Sequence, residues 1–439
     1  MNRRWFLLGG AAALATAACK RAASRVSTSS AGTVAPGAPD AGSRPPGSGA
    51  PKASTPGPSG DPRYSHLACA LSRDGRRLAV GAGSADADYE AGGPLVIWDF
   101  VRGAPSRRRM VAPGGIGMEG RELLAFSPSG HLLVASCNTN EVHLFDAESE
   151  ALATVGEIAL SHEDSAPGAC LLPGETALFT SGEKGLALVP IKGTHQDIDS
   201  PEVRWFPGDF PFFVAAARAD GLVVGANPRR AQGFDTAAGR PRWTSTEASG
   251  DPDTWDAGLS PDASELVAAT GESVVFLDTG RGVVRARDAM SPGRSGGVVW
   301  DAAGRRVAIL TERFPARSAP DVAVYDGRTL SYRLGAAPRR RPWLMAPDLC
   351  SFAFSPDGGR GVLATEDGKV VLYRLGASPR RLAEMLVTPD PEEWLGVFWG
   401  AADTVVAITS REILLIDGAR GAVRSRTPLG FPIRRDAGG

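Results

Sequence analysis

Three aspartates, Asp251, Asp253 and Asp256, crowd one short segment with Trp255 among them. Clustered carboxylate oxygens are the ligands calcium takes, which makes this trio a candidate metal site. The spacing is not that of an EF-hand loop, and Pro252 points to a capped turn instead. The histidines are His66, His131, His143, His162 and His195, and no two share metal-ligand spacing. The chain has no Cys-x-x-Cys, no Gly-x-Ser-x-Gly elbow, no phosphate-cradling loop and no His-Glu-x-x-His. Local motifs therefore assign no catalytic residue and imply no cofactor. A site assembled from distant segments would leave no local motif, so this reading covers only contiguous chemistry.

The elements that would position such groups are written as a repeat. An apolar strand ends in a Ser-Pro-Asp-Gly-type turn, a second apolar run follows, and a third strand closes on an Asp. The cleanest copy runs from Ser351 through Ser355-Pro356-Asp357-Gly358 to Lys369-Val370-Val371-Leu372-Tyr373. Other turns read Ser72-Arg73-Asp74-Gly75, Ser127-Pro128-Ser129-Gly130, Arg218-Ala219-Asp220-Gly221, Ser260-Pro261-Asp262-Ala263 and Asp301-Ala302-Ala303-Gly304. Degraded copies stand at Leu172-Pro173-Gly174-Glu175 and Gly400-Ala401-Ala402-Asp403. Pro presets the first central angle, Ser or Asp bonds nearby backbone, and Gly accepts the left-handed last position. Eight copies between Asp61 and Arg434 give about 46 residues each, the size of a four-stranded propeller blade. The expected fold is all-β: one propeller over residues 63–434, with four-stranded antiparallel blades and eight blades favoured over seven. The last copy is expected to supply its own fourth strand near Val423 to Pro428.

Third-strand ends carry a second marker: Trp98-Asp99, Phe145-Asp146, Phe234-Asp235, Leu277-Asp278, Tyr325-Asp326 and Ile416-Asp417. The large side chain fills the gap between blades and the Asp caps the next hairpin. With these markers the chain resembles the WD40-like propeller families, and Trp98-Asp99 is the literal dipeptide. The Gly-His pair of typical repeats is missing before most first strands, so their hydrogen-bonded tetrad is not carried over. Asp235, Gly239 and Trp243 are also similar to the tryptophan-docking repeat of quinoprotein-like propellers, which include lipoproteins of outer-membrane assembly. Trp243 stands alone in that pattern, since Ala286 and Ser425 occupy the matching positions. No vicinal cysteine pair is present, so that resemblance implies no quinone.

The first residues read as an export signal over 1–18. Asn2-Arg3-Arg4-Trp5-Phe6-Leu7-Leu8 resembles a twin-arginine signal, with an ordinary Sec signal as the competing reading. The apolar stretch from Trp5 to Ala18 is too short to span a bilayer. Thr16-Ala17-Ala18-Cys19 resembles a lipobox with Thr16 in place of the preferred Leu, which would make Cys19 the lipid-attachment site. Ordinary cleavage at Ala15-Thr16-Ala17 would instead release a soluble secreted protein. Residues 19–62 are Ala, Ser, Gly, Pro and Thr with almost nothing apolar of size, the composition of a disordered linker. Residues 435–439 read as a disordered tail.

The formal charge is −1 and 43 % of residues are hydrophobic, which argues against a nucleic-acid binder. Arg107-Arg108-Arg109, Arg339-Arg340-Arg341 and Arg380-Arg381 fall in or beside fourth strands. Charge there blocks edge-to-edge pairing, and contact with anionic lipid is the lesser alternative. Cys69, Cys170 and Cys350 sit among small apolar residues as packed thiols would, and Cys137 with Cys170 is the pair that neighbouring blades could join. Glu122, Asp164, Asp209, Asp256, Asp348 and Glu393 each precede or open a first strand. Together they would form an acidic rim around the channel mouth and a surface for a partner. Loops are polar and Asp favours turns, which is the simpler account. The expectation is an exported, lipid-anchored monomer at the periplasmic side or cell envelope that binds a protein partner without catalysis. The alternatives are an exported propeller enzyme or ligand-binding protein using Asp256, Asp348 or Glu393 at the channel, or an envelope assembly factor.

Overall fold

The computed structural model describes residues 64–84, 93–101, 104–116, 124–137, 141–148, 154–159, 169–182, 185–191, 202–206, 212, 214–251, 255–289, 293–313, 321–335, 351–365, 368–388, 395–401 and 403–430. The export signal, Cys19, the linker and the tail lie outside them. The strands run from Tyr64 to Pro428 and form eight four-stranded antiparallel sheets. In each sheet four consecutive strands lie side by side in chain order. The blades cover 64–116, 124–159, 169–206, 214–245, 256–289, 293–335, 351–386 and 395–428. Blade 8 owns its fourth strand, Val423–Pro428, so no strand crosses the closure.

Alternation explains the ring. Successive side chains of a strand point to opposite faces, and both faces of an inner strand are buried here. In blade 4, Leu222, Val224 and Ala226 pack toward blade 5. Val223, between them in sequence, packs toward blade 3. In blade 8, Val405 and Ala407 join blade 7 while Val406 and Ile408 join blade 1. Each of the eight apolar clusters sits between two neighbouring blades. The last to close sets Cys69, Leu78, Val80, Val96, Trp98 and Phe100 against Phe398, Val406, Ile408, Ile413 and Leu415. Burying each such side chain contributes roughly 1.5–3 kcal/mol, so closure by packing alone is sufficient without a shared strand.

The large residue before each third-strand Asp always packs toward the preceding blade. Trp98 meets blade 8, Phe145 blade 1, Phe234 blade 3, Leu277 blade 4, Tyr325 blade 5 and Ile416 blade 7. A bulge falls immediately before Phe145, Phe234, Leu277, Tyr325, Tyr373 and Ile416. One extra residue on the fourth strand bends that strand and breaks the regular edge. Outside it the chain meets water: the fourth strand of blade 5, Val283–Ala289, alternates exposed and half-buried residues.

Candidate functional site

The two faces of the ring are built differently. Turns between first and second strands, and hairpins between third and fourth strands, share one face, called here the turn face. Loops between second and third strands, and connections between blades, share the other.

On the turn face the repeat's polar residues are consumed locally. Ser72 Oγ donates to Asp74 at 2.7 Å and accepts from the Arg77 amide at 2.8 Å. Ser260 repeats this with Asp262 at 2.7 Å and the Glu265 amide at 3.0 Å. Ser355 repeats it with Asp357 and the Arg360 amide. The Ser355 hydroxyl and then the Gly359 amide hold the Asp357 carboxyl below its usual range. In blade 6 Asp301 takes the serine's place and accepts from the amides of Arg305 and Arg306 at 2.7 and 3.2 Å. The fourth turn position is left-handed at Gly75, Gly130, Gly304 and Gly358, with φ between 65 and 80°.

The hairpin aspartates follow one pattern. Asp417 accepts from the amides of Ala419 and Arg420 with one oxygen and from Arg424 with the other. The Arg424 hydrogen bond, then the Arg420 amide, hold its pKa down at about 2. Asp235 does the same with Ala237, Ala238 and Arg242. Asp278 uses the Arg281 amide and Arg285. For Asp278 burial pushes the pKa up, but Arg285 and the backbone amides outweigh it and the net shift is downward.

Arginines tie blades together on the same face. Arg77 of blade 1 donates to the Gly130 carbonyl at 2.7 Å and to Glu148 at 2.9 Å, both in blade 2. Arg306 reaches from blade 6 to the Gly358 carbonyl of blade 7 at 2.7 Å. Arg360 of blade 7 bridges to both oxygens of Asp403 in blade 8 at 2.8 Å and lies over the Trp399 ring, 5.0 Å from its centroid. These three residues open their second strands two positions after the turn glycine. That recurrence is visible in sequence, although their reach across the interface is not.

Trp243 docks as its motif suggested. Its indole lies against Gly282 of blade 5, where an added Cβ would meet the ring at 2.4 Å, and its Nε1 donates to the Thr279 carbonyl at 2.7 Å. Phe206 lies against Gly239, and Ala383 against Gly421, in the same relation. The docking relation thus survives in blades whose docking residue is no tryptophan.

The channel side reads differently from its expectation. Of the six rim carboxylates, Asp256 alone falls on described residues; Glu122, Asp164, Asp209, Asp348 and Glu393 lie outside them. Asp256 is 3 % exposed and accepts from the Ala257 amide at 2.7 Å, so it is a buried strand-opening residue rather than part of an exposed rim. For the proposed metal trio, Asp253 lies outside the described residues and Asp251 is exposed. The Asp251 carbonyl accepts from the Trp255 amide, which is a turn contact. No metal-binding group of three acids, histidines or cysteines occurs among the described residues. Apart from His66 and Arg294, the first strands otherwise carry mostly small and apolar side chains, such as Ala68-Cys69-Ala70, Ala215-Ala216 and Gly396-Val397-Phe398. Cys69 and Cys170 are buried thiols, and burial pushes Cys170 up to about 12. Cys170 is not in a disulfide, so the pairing with Cys137 does not form; its thiol packs among Phe179, Phe206 and Phe234 instead. Arg107 to Arg109 and Arg380-Arg381 do fall in fourth strands, while Arg339 to Arg341 lie outside the described residues. No helix among the described residues is long and apolar enough to cross a membrane.

No family model and no curated protein matches the chain. Among solved structures it is similar to the C-terminal WD40 domain of Sif2, at 14 % identity over 77 % of this chain and 91 % of that one, with a TM-score of 0.54. It is similar also to the dihydro-heme d1 dehydrogenase NirN in complex with DHE, at 16 % identity over 86 % and 76 % of the two chains, with a TM-score of 0.54. At such identities the likeness is one of fold, the β-propeller, which in this chain has eight blades.

Proposed function

We propose that this protein is an exported, membrane-tethered propeller that holds another protein and carries out no chemistry of its own. The observation that carries the reading is the composition of the first strands. Their described segments supply a single carboxylate, Asp256, which accepts from its neighbour's amide and is buried, with His66 and Arg294 the other ionisable groups, each in a different blade. Catalysis at a propeller channel needs several ionisable groups converging from different blades. A closed ring with rigid turns suits a binding platform better, and WD40-like propellers commonly serve as one. Export and tethering rest on the residue pattern Arg3-Arg4, the lipobox-like Thr16 to Cys19 and the linker composition of 19–62.

Two measurements test this. Metabolic labelling with a clickable palmitate analogue should mark the wild type and leave Cys19→Ala unlabelled and released from membranes. An unlabelled wild type whose N-terminus begins at Ala18 would overturn the anchor. Affinity purification of the full chain from solubilised envelope, after in-cell crosslinking, should give a stoichiometric protein partner. Recovery of the chain alone, together with turnover of a small molecule, would overturn the scaffold.

A further inference from the structure

We propose that the turn face of blades 5, 6, 7, 8 and 1 is an arginine-lined docking surface for a protein segment rich in spaced carboxylates. This deepens the scaffold reading and rests on it. Arg73, Arg281, Arg305, Arg374, Arg380 and Arg420 are exposed and occupy turns or hairpin ends of these five consecutive blades. Their guanidinium groups have no hydrogen-bond or ion-pair partner among the described residues. Most other turn-face arginines are committed: Arg285 to Asp278, Arg306 to Gly358, Arg360 to Asp403 and Arg424 to Asp417.

The aspartates of the same turns face the other way. Asp301 and Asp357 bind the amides of their own turns, and Asp357 also takes the Ser355 hydroxyl. Asp278 and Asp417 add an arginine to their amides, and Asp403 holds Arg360. Their lone pairs are used inward, and the donors are left outward. The face therefore offers forked donors whose natural complement is a carboxylate.

The floor beneath these arginines is rigid, a second and independent observation. A Cβ added to Gly75 would meet the Ala401 amide nitrogen at 2.2 Å. One added to Gly358 would meet Asp301 at 2.9 Å, and one added to Gly304 would meet Pro261 at 3.3 Å. Each turn thus nests on its neighbour in the preceding blade. Donors on a floor that does not rearrange bind with a smaller ordering cost.

The partner is a polypeptide rather than a polyphosphate or a lipid surface for a reason of range. Except in blade 7, where Arg374 and Arg380 flank a hairpin without a carboxylate, each turn or hairpin that offers an arginine also carries an aspartate, so beyond a Debye length the field largely cancels. A diffuse anionic surface gains little from such a face. A segment that meets the guanidinium groups one by one gains a charge-assisted bond at each. Blades 2 and 3 then orient it. Their turn-face groups include Glu148, paired with Arg77 and His131, and Glu175, which accepts from Ser129, and these carboxylates would repel the same segment.

The test uses the full chain and three probes: a labelled oligoglutamate peptide, phosphatidylglycerol vesicles and inorganic polyphosphate. Arg281→Gln, Arg374→Gln and Arg420→Gln are combined; all three are exposed, so folding should survive, and the melting temperature checks this. The peptide should bind the wild type in a salt-sensitive way and bind the triple variant about tenfold more weakly. Arg229→Gln, at an exposed site on the opposite face, should bind like the wild type. Equal peptide binding by the triple variant overturns the proposal, as does a wild type that ignores the peptide. A larger loss toward vesicles or polyphosphate than toward the peptide also overturns it and assigns the arginines to those anions. If the crosslinked envelope partner is retained by the triple variant, the arginine surface fails while the scaffold stands. If neither form captures a partner yet the peptide binds as described, the scaffold reading fails instead.

Discussion

Two arcs of the ring solve the same problem with different materials. Between blades 5 and 7, and again between blades 8 and 1, the turns lie on one another: Gly304 on Pro261, Gly358 on Asp301, Gly75 on Gly400 and Ala401. From blade 2 to blade 4 the turn glycines stand clear, and an added Cβ at Gly130 or Gly221 would meet nothing within 4 Å. There the blades are joined by side chains. Ser129 donates its amide and hydroxyl to Glu175 at 2.7 and 2.8 Å. Blades 3 and 4 share Phe179, Phe206, Phe212 and Phe234, with Phe206 and Phe234 centroids 5.0 Å apart. At Gly75 the joint is backbone and has no slack, because backbone cannot rotate away from an added atom, while Gly304 and Gly358 lie against side-chain atoms of Pro261 and Asp301. A joint made of side chains can repack.

The sharpest way to break this contrast is to add one methyl group at equivalent turns. Gly75→Ala carries both a positive φ of 66° and a backbone collision, and should lose about 3 kcal/mol or more. Gly130→Ala has the same kind of φ in open space and should lose about 1 kcal/mol. Urea unfolding midpoints of the two variants decide it, and equal losses would remove the distinction between the arcs.

Next in size is the tie between blades 7 and 8. Arg360→Ala gives up Asp403, the Gly418 carbonyl and the Trp399 ring together, and should cost about 2 kcal/mol. Glu175→Ala at the joint of blades 2 and 3 removes only exposed contacts and should cost under about 1 kcal/mol. Thermal melts that rank these two the other way would place the stronger polar tie in the side-chain arc.

Trp243 sits at the border between the arcs and combines both devices. Trp243→Phe keeps a ring against Gly282 but loses the bond to the Thr279 carbonyl, for about 1 kcal/mol. Trp243→Ala should lose several-fold more, since it also empties the dock. A Phe variant as unstable as the Ala variant would show that the hydrogen bond, not the packing, holds this joint.

The smallest effect is one of pH. Asp417 has a folded pKa of about 2, depressed chiefly by Arg424 and then by the Arg420 amide. A depressed carboxylate contributes stability that is full above its unfolded pKa of about 4 and is lost as pH falls through the folded value. Asp417→Asn should therefore melt below the wild type at neutral pH, and the gap should close between about pH 4 and about pH 2. A gap that stays constant over that window would mean the Asp417 charge contributes nothing. Glu148 in the other arc is also lowered, by Arg77 and then His131, so acid should loosen both arcs.

By itself the sequence determined what is local. Eight turn signals, each made within four or five residues, set eight blades, and the whole copy at each end excluded a shared strand. The third-strand Asp, its hairpin and the single docking tryptophan were legible for the same reason, since Asp235 and its partner amides are two and three residues apart. The candidate sites were less legible. Asp256 has the composition of a rim residue, yet its carboxylate is buried against its own strand. Cys170 has the company of a packed thiol and is one, but nothing in the chain told that Phe179 and Phe206 of its own blade and Phe234 of the next would form its wall. Only the tertiary structure decided which arginines are spent and which are offered. Arg360 meets a carboxylate 43 positions away, and Gly75 meets Ala401 across the closure. Turn chemistry is settled by covalent neighbours, whereas a contact between blades depends on how eight sheets tilt to close one ring, and no short stretch of residues encodes that.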